Sequence, residues 1–273
     1  MESSADYTQR LLRGGARAQK SLGQNFLIDD QVIEQIVLVS ELEEDTPLVE
    51  VGPGLGVLTR VLAKQVRKMW AVELDQKKMG ILQRELQGLP IKIIQGDALK
   101  LNLSELWGEN KGFLIGNLPY YITSPLIMHF LEQGAYLTGM TIMVQEEVAN
   151  RLAAKPGGKE YGVLSVAVQV AAEVEKVLRV PAQAFWPVPK VNSAVVSLRL
   201  RSYPGIVDKG AFFKVVKAAF GQRRKTLSNS LSAGLGLSKE SVALKFSELG
   251  IDGQRRAETF SIEEFIKLTK GFT

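Results

Sequence analysis

The sequence predicts a mixed α/β fold: a mostly parallel sheet of seven strands, one of them antiparallel, followed by a small helical domain. Three observations predict it. Short apolar runs alternate with helical patterns over the first two thirds of the chain. Two further apolar runs follow with little helix between them, and beyond about residue 205 the pattern is helical alone. Strands separated by helical patterns imply parallel βαβ units with right-handed crossovers.

The elements follow in order. Residues 48–51 form a short β-like run that ends at a glycine cluster. Leu55, Leu58, Val61, Leu62 and Val66 then recur at helical spacing. Residues 69–72, 91–94, 113–115 and 141–144 read as the second to fifth strands. Residues 174–180 and 194–200 flank the proline-rich stretch 181–189 and read as a closing pair. Such a pair adds an antiparallel strand to an otherwise parallel sheet. The character changes at Tyr203-Pro204-Gly205. After it, Phe212, Val215, Val216, Ala219 and Phe220 make one apolar stripe, continued by Leu227, Leu231, Val242, Leu244, Phe246 and Leu249. The expected organisation is a basic N-terminal arm over 1–24, a sheet domain over 25–203 and a basic helical domain over 204–273.

Composition bounds the chemistry. The 273 residues are 45% hydrophobic and 23% charged, close to globular averages. The absence of cysteine removes disulfides, thiolate metal sites and cysteine nucleophiles. A single histidine, His129, excludes histidine-rich metal sites, so no metal site is expected. It lies on an apolar helical run and reads as a packed side chain. Glu146-Glu147 reads as charge bias in a first helical turn. No apolar stretch reaches the ~18–20 residues that span a bilayer, and the N-terminus lacks an apolar signal core. The expectation is a cytoplasmic, monomeric protein away from membranes. Charge is uneven: residues 181–273 carry 15 basic and 7 acidic side chains, the first 180 carry 19 and 22. Arg10, Arg13, Arg17 and Lys20 form a second basic cluster. Basic ends around a mildly acidic body suggest a polyanionic partner.

The strand ends carry the chemistry. The first strand runs into Glu50-Val51-Gly52-Pro53-Gly54-Leu55-Gly56. Glycines there permit a tight turn and close approach of a ligand to the backbone. The spacing is neither that of dinucleotide enzymes nor that of a P-loop. Glu73 ends the second strand, where an acid can accept hydrogen bonds from both hydroxyls of a ribose. Asp97, after the third, can accept from an exocyclic adenine amine. Consecutive strand ends thus offer glycine, acid, acid, in the crevice where open α/β sheets bind ligands. The set fits an adenosine-bearing cofactor without phosphate, such as S-adenosylmethionine.

The fourth strand ends in Gly116-Asn117-Leu118-Pro119-Tyr120. The amide oxygen of Asn117 and the carbonyl of Leu118 can accept both N–H bonds of an adenine amine. Pro119 discourages a helical backbone at Leu118, and Tyr120 can stack on a base face, a contact of roughly 1–3 kcal/mol. This is the chemistry of methylating a planar exocyclic amine, in which positioning and electrostatics carry most of the rate.

Residues 20–27 (Lys20-Ser21-Leu22-Gly23-Gln24-Asn25-Phe26-Leu27), 50–56, 117–120, 185–196 (beginning Phe185-Trp186-Pro187-Val188-Pro189-Lys190-Val191-Asn192), 221–227 and 261–265 together resemble the ribosomal RNA adenine dimethyltransferases, and within them the small-subunit, KsgA type. The resemblance runs from about Lys20 to Phe265. It implies a Rossmann-like class I methyltransferase sheet, S-adenosylmethionine as methyl donor, and conversion of two adjacent adenosines near the 3′ end of 16S rRNA to N6,N6-dimethyladenosine. The implied partner is 16S rRNA in the small ribosomal subunit or its assembly intermediate. By motif, cofactor contacts are implied for Gln24, Asn25, Leu27, Gly52, Gly54, Glu73, Leu74, Asp97, Ala98 and Asn117. The adenine pocket is implied to comprise Asn117, Leu118, Pro119 and Tyr120, with Phe185 on the far side of the flipped base. Tyr121 and Trp186 occupy positions that look variable in this family.

A target base must leave its stack to reach a buried sulfonium, which a hairpin loop permits. Arg223, Arg224, Lys225, Arg255 and Arg256 are then the expected phosphate contacts, with helix-dipole compensation as the plain alternative. Other readings are a large-subunit resistance methyltransferase, a non-catalytic assembly or transcription factor, and a nicotinamide-dependent oxidoreductase. The last predicts a longer glycine spacing that is absent here.

Overall fold

The computed structural model describes residues 2–19, 22–202 and 205–272. Lys20 and Ser21 of the first motif and basic cluster, and Tyr203 and Pro204 at the expected boundary, lie outside the described residues. The chain divides into two compact units, Met1–Ala149 with Ala172–Leu200, and Asn150–Ala171 with Arg201–Thr273.

The first unit is built on a seven-stranded sheet. Its strands are β2 (Leu48–Val51), β3 (Met69–Glu73), β4 (Ile91–Gln95), β5 (Gly112–Asn117), β6 (Leu137–Gln145), β7 (Ala172–Val180) and β9 (Ser193–Leu200), in spatial order β4-β3-β2-β5-β6-β9-β7. All neighbours from β4 to β6 are parallel; β9 alone runs antiparallel, between β6 and β7. Every residue of β2 and β3 is buried, as expected of parallel strands covered on both faces. β7 is an edge strand, and Glu173, Glu175, Lys176 and Arg179 along it discourage further strand pairing. Strand order reverses between β2 and β5, whose registers align Val51 with Gly116. The ends of these two strands therefore open the crevice of the sheet.

Some elements depart from the sequence expectation. The helical spacing over 55–66 yields only one short α-helix, Thr59–Leu62, because bonds such as Val61 to Leu58 and Lys64 to Val61 tighten the flanking turns to i→i−3. Residues 26–27 (β1) and 185–186 (β8) pair as a separate two-stranded ribbon. The N-terminal stretch is not a free arm. It forms helix α1 (Ser4–Arg13), which buries Tyr7 and Leu11 in the core beside Leu55. The Tyr7 hydroxyl donates to the Leu55 carbonyl at 2.9 Å, and Arg10 bonds Glu2 and Glu85. Of the expected basic cluster, Arg10 thus pairs with acids, and Arg17 donates to the carbonyls of Leu12 and Ala16.

The second unit is helical and begins earlier than expected. It includes residues 150–171, whose Tyr161, Val166 and Val170 share a core with Phe212, Val215, Val216, Ala219 and Phe220. Its helices include Val163–Ala171, Lys209–Phe220, Leu227–Leu235, Lys239–Leu249 and Ile262–Phe272. Leu244, expected on the apolar stripe, is exposed instead. Among the described residues no helix is long and apolar enough to cross a membrane.

At the reversal of the sheet, a Cβ on Gly116 would stand 2.9 Å from the Val51 carbonyl oxygen and 2.9 Å from the Leu118 side chain. Gly116→Ala must push β5 from β2, so unfolding in urea should show a loss of ~1–3 kcal/mol; a stability equal to the parent's would show that the two strands are not in this register.

Candidate active site

A cleft of about 1040 Å³, its open mouth included, lies at the carboxyl ends of β2, β3, β4 and β5. It is lined by the segment 22–27, the glycine turn 50–55, Glu73 and Leu74, Gly96 to Ala98, and 117–122. All ten residues expected to contact a cofactor line it, as do Asn117, Leu118, Pro119 and Tyr120. Four separate strand ends thus converge on one site.

The glycine turn is shaped for close approach. Gly52 has φ +72°, and a Cβ there would lie 3.6 Å from the Asn117 carbonyl oxygen. Gly54 has φ +61°, and a Cβ there would press on the Phe26 ring at 3.2 Å. A side chain at either would be strained and would crowd the cleft floor. Glu73 holds this turn: one carboxylate oxygen accepts from the Gly54 amide at 3.1 Å, the other from the Asp75 amide at 2.8 Å. A carboxylate has about four acceptor positions, so two remain for hydroxyls in the cleft. Burial raises the Glu73 carboxyl above its ordinary range, against the pull of these two amides. Asp97 caps the turn that follows it, accepting from the Leu99 amide at 2.9 Å through one oxygen. Leu74 is exposed beside it and supplies an apolar wall.

The wall formed by 22–27 is locked from behind. Lys78 and Asp75 form a buried ion pair at 2.7 Å. Gln24 accepts from Lys78 at 2.7 Å and from the Gln19 amide at 2.9 Å, and donates to Asp75 at 3.4 Å. The Gln24 side chain therefore positions the wall; its amide is engaged away from any ligand. Burial pushes Asp75 up, but Lys78 outweighs it and leaves the carboxyl below its usual range. On the other side, Asn117 donates its amide nitrogen to the Asn25 carbonyl at 3.1 Å. That bond fixes the amide's orientation and leaves Oδ1 as its acceptor.

Leu118 buries its side chain while its amide donates to the Met143 carbonyl at 3.0 Å. Its main chain is thereby pinned at the cleft. The Tyr120 hydroxyl bonds Ser193 at 2.9 Å, and burial raises its phenol above the ordinary value. Phe185 is placed otherwise than expected. It is 1% exposed, packs in the core with Leu27, Val180 and Ala184, and does not line the cleft. The β1–β8 ribbon pairs Phe185 with Leu27 and leaves the next residue, Trp186, on the surface. Phe26 and Glu50 are among the cleft residues that sequence reasoning did not assign to the site. Both sat inside motifs whose other members drew attention.

Glu50 is 2% exposed, and its Oε2 has no hydrogen-bond partner among the described residues. Burial, with the nearby charge of Glu73, pushes its carboxyl up to about 8. Raised that far, the Glu50 carboxyl is largely neutral at pH 7 while its Oε2 stays unpaired, and a cation bound beside it would favour its charged form. The glycine cradle, the ribose-competent Glu73 and the free Asp97 oxygen suit S-adenosylmethionine.

Elsewhere the expected groups separate. His129 bonds the Leu101 carbonyl at 2.9 Å and Gln133 at 3.0 Å, as a packed residue would. Glu146 pairs with Arg179 and Lys176 and forms no dyad with Glu147. In the helical unit, Arg223, Arg224 and Lys225 are exposed in the turn between the helices Lys209–Phe220 and Leu227–Leu235. Arg223 donates once, to the Lys159 carbonyl. Arg255 is different: it grips Glu264 with two nitrogens, donates to Thr259 and lies 4.1 Å over Phe260. It is a structural arginine, whereas Arg256 is exposed.

The burial of Glu50 sets a pH dependence. A carboxyl raised on folding contributes its full stability below its unfolded value near 4.5 and loses it as pH rises through about 8. Glu50→Gln should therefore gain on the parent by roughly 2–4 kcal/mol between pH 5 and 8 without ligand. Parallel urea curves across that range would refute it.

The model of the family "Ribosomal RNA adenine dimethylase" matches residues 15–273. The chain is 62% identical to the "Ribosomal RNA small subunit methyltransferase A" of Desulfitobacterium hafniense, over 99% of this chain and 98% of that one. It is 44% identical to the protein of the same name from Geobacillus kaustophilus, over 95% and 92%. Among solved structures, the 23S rRNA methyltransferase ErmE superposes with a TM-score of 0.72 at 28% identity, covering 91% of this chain and 99% of that one. A dimethyladenosine transferase from Plasmodium falciparum has a TM-score of 0.77 at 21% identity, over 88% and 94%, and shares the fold. The match runs through every strand end that builds the cleft, and the chain belongs to the ribosomal RNA adenine dimethylase family.

Proposed function

We infer that this protein transfers methyl groups from S-adenosylmethionine to N6 of two adjacent adenosines in a hairpin loop near the 3′ end of 16S rRNA, giving N6,N6-dimethyladenosine during small-subunit biogenesis. It is an S-adenosylmethionine-dependent rRNA adenine dimethyltransferase. One observation carries the reading: the Asn117 side-chain amide, its nitrogen tied to Asn25, lines the same cleft as the glycine turn at the reversal of the sheet. On this reading the partner is 16S rRNA within the small subunit or its assembly intermediate, and the enzyme works as a cytoplasmic monomer.

When bound, S-adenosylmethionine supplies an electrophilic methyl group on a sulfonium. The chain's own residues do the rest. Asn117 Oδ1 and the Leu118 carbonyl accept the two N–H bonds of the adenine amine, which localises its lone pair. Tyr120, held by Ser193, stacks on the base. Burial keeps its phenol protonated at neutral pH, so it serves as a face and not as a base. Gly52, Gly54, Glu73, Leu74, Asp97 and Ala98 surround the donor's adenosine, and Asn25 and Leu27 close the wall.

Arg223, Arg224, Lys225 and Arg256 contact phosphates on this reading. Arg255 contributes by holding the N-terminal turn of the helix Ile262–Phe272 through Glu264. The large-subunit alternative shares the fold of ErmE. The small-subunit reading is favoured by the 62% identical relative.

Asn117→Ala should reduce labelled methyl transfer to unmethylated small subunits at least ~100-fold at saturating donor, while the variant still binds those subunits. Full activity, or transfer to bare large-subunit RNA instead, would defeat the reading. Arg223→Glu with Arg224→Glu should weaken RNA binding and flatten its salt dependence by about 0.7–0.9 for each phosphate no longer neutralised. An unchanged slope across a salt series would remove these residues from the interface.

A further inference from the structure

Two large aromatic side chains beside the cleft are exposed and unassigned by the reading above. Tyr121 is 55% exposed and Trp186 is 39% exposed. Both attach to the same wall segment. The Trp186 ring stacks on Phe26, 9° from parallel with centroids 6.4 Å apart, and Phe26 lines the cleft. The Tyr121 ring lies 3.7 Å from where a Cβ on Gly23 would stand, three residues before Phe26, and Tyr121 itself lines the cleft. Val188 and Val191 are exposed beyond Trp186, with exposed Lys190 between them. The segments that form this rim, 22–28, 118–127 and 181–194, contain no Asp or Glu.

We propose that Tyr121 and Trp186 form a stacking rim for the unpaired bases that flank the target adenosine, including the second adenosine of the pair. The proposal rests on the cleft being the adenine site. Flat, exposed rings suit bases, because every base offers a π-face and stacking tolerates sequence. A rim free of carboxylates and carrying a lysine suits a polyanionic strand. Continuity with the cleft selects the neighbours of the inserted base as occupants. While one adenosine is in the pocket, its neighbour rests on the rim, one nucleotide from the site it enters next.

The chain has three tryptophans, and the other two, Trp70 and Trp107, are 7% and 3% exposed. Quenching of intrinsic fluorescence by a stacked base therefore reports on Trp186. An RNA stem-loop with two adjacent unpaired adenosines should quench the parent protein, and Trp186→Phe should abolish that quenching. In methyl transfer to unmethylated small subunits, Trp186→Ala and Tyr121→Leu should each raise KM for the subunit about tenfold, with S-adenosylmethionine affinity unchanged. Trp186→Phe, which keeps a ring, should restore KM. Quenching equal in parent and Trp186→Phe, or a KM within twofold of the parent in both other variants, overturns the proposal. So does an effect confined to self-association in sedimentation, which would assign the rim to a second copy. A parent protein that fails to label small subunits would defeat the adenine reading itself, a result distinct from any of these.

Discussion

A buried carboxylate, Glu73, joins the parts on which the cleft depends. Its two oxygens bridge the glycine turn and the second residue beyond β3, through the amides of Gly54 and Asp75. From Asp75 the connection passes to Lys78 and to Gln24. From that wall it returns to the strand end through the Asn25 carbonyl and Asn117. One side of the cleft is thus lined by a series of short, mostly buried polar contacts. Buried polar groups are costly when unpaired and rigid when satisfied. A series in which nearly every member has its partner therefore ties three strand ends, those of β2, β3 and β5, to the wall 24–25. Glu50 is the exception, an unsatisfied acid beside the glycine turn. Burial keeps that acid largely neutral, and only a cation placed beside it would draw out its charged form.

This arrangement explains which parts of the molecule were legible from sequence. Glycine, acid, acid and Asn-Leu-Pro-Tyr each close a β-like run, so the alternation of strands and helices alone predicts that they gather at one edge. The ten residues expected around the cofactor do line one cleft. The reading failed where a side chain's fate depends on a partner distant in sequence. Phe185 is turned inward because its strand pairs with Leu27, nearly 160 positions earlier. Arg255 is engaged by Glu264, which no local pattern distinguishes from a solvated acid. Gln24 lies among expected ligands, yet its amide answers to Lys78 and Asp75. Residues 150–171 look like one more helical crossover of the sheet domain. Their apolar side chains instead complete the core of the helical unit, and hydrophobicity does not say which core it will join.

The two units divide the labour of binding differently. The sheet unit commits its charged groups to one another: Arg10 with Glu85, Arg67 with Glu44, Arg179 with Glu146, Lys78 with Asp75. Among the described residues, its cleft holds the acids Glu50, Glu73 and Asp97 and no Lys or Arg. In the helical unit three consecutive cations stand exposed on a turn between two helices. The negative end of the preceding helix and the positive end of the next both face that turn, so their dipoles largely offset there. Helix compensation therefore does not account for three charges in a row, and phosphate contact is the reading proposed for them.

Two successive transfers to one nitrogen place unequal demands on the pocket. On the proposed reading, the unmodified amine brings two N–H bonds, one for Asn117 Oδ1 and one for the Leu118 carbonyl. After the first methyl is added, the amine retains one N–H, and one acceptor loses its partner. A buried acceptor left unmatched costs about 1–3 kcal/mol, so hydrogen bonding holds the second substrate less firmly than the first. Stacking is unaffected by the change, since the ring keeps its face. The Tyr120 ring, fixed through Ser193, is therefore the contact that serves both steps equally. The side-chain amide and the backbone carbonyl, by contrast, discriminate between an amine with two protons and an amine with one.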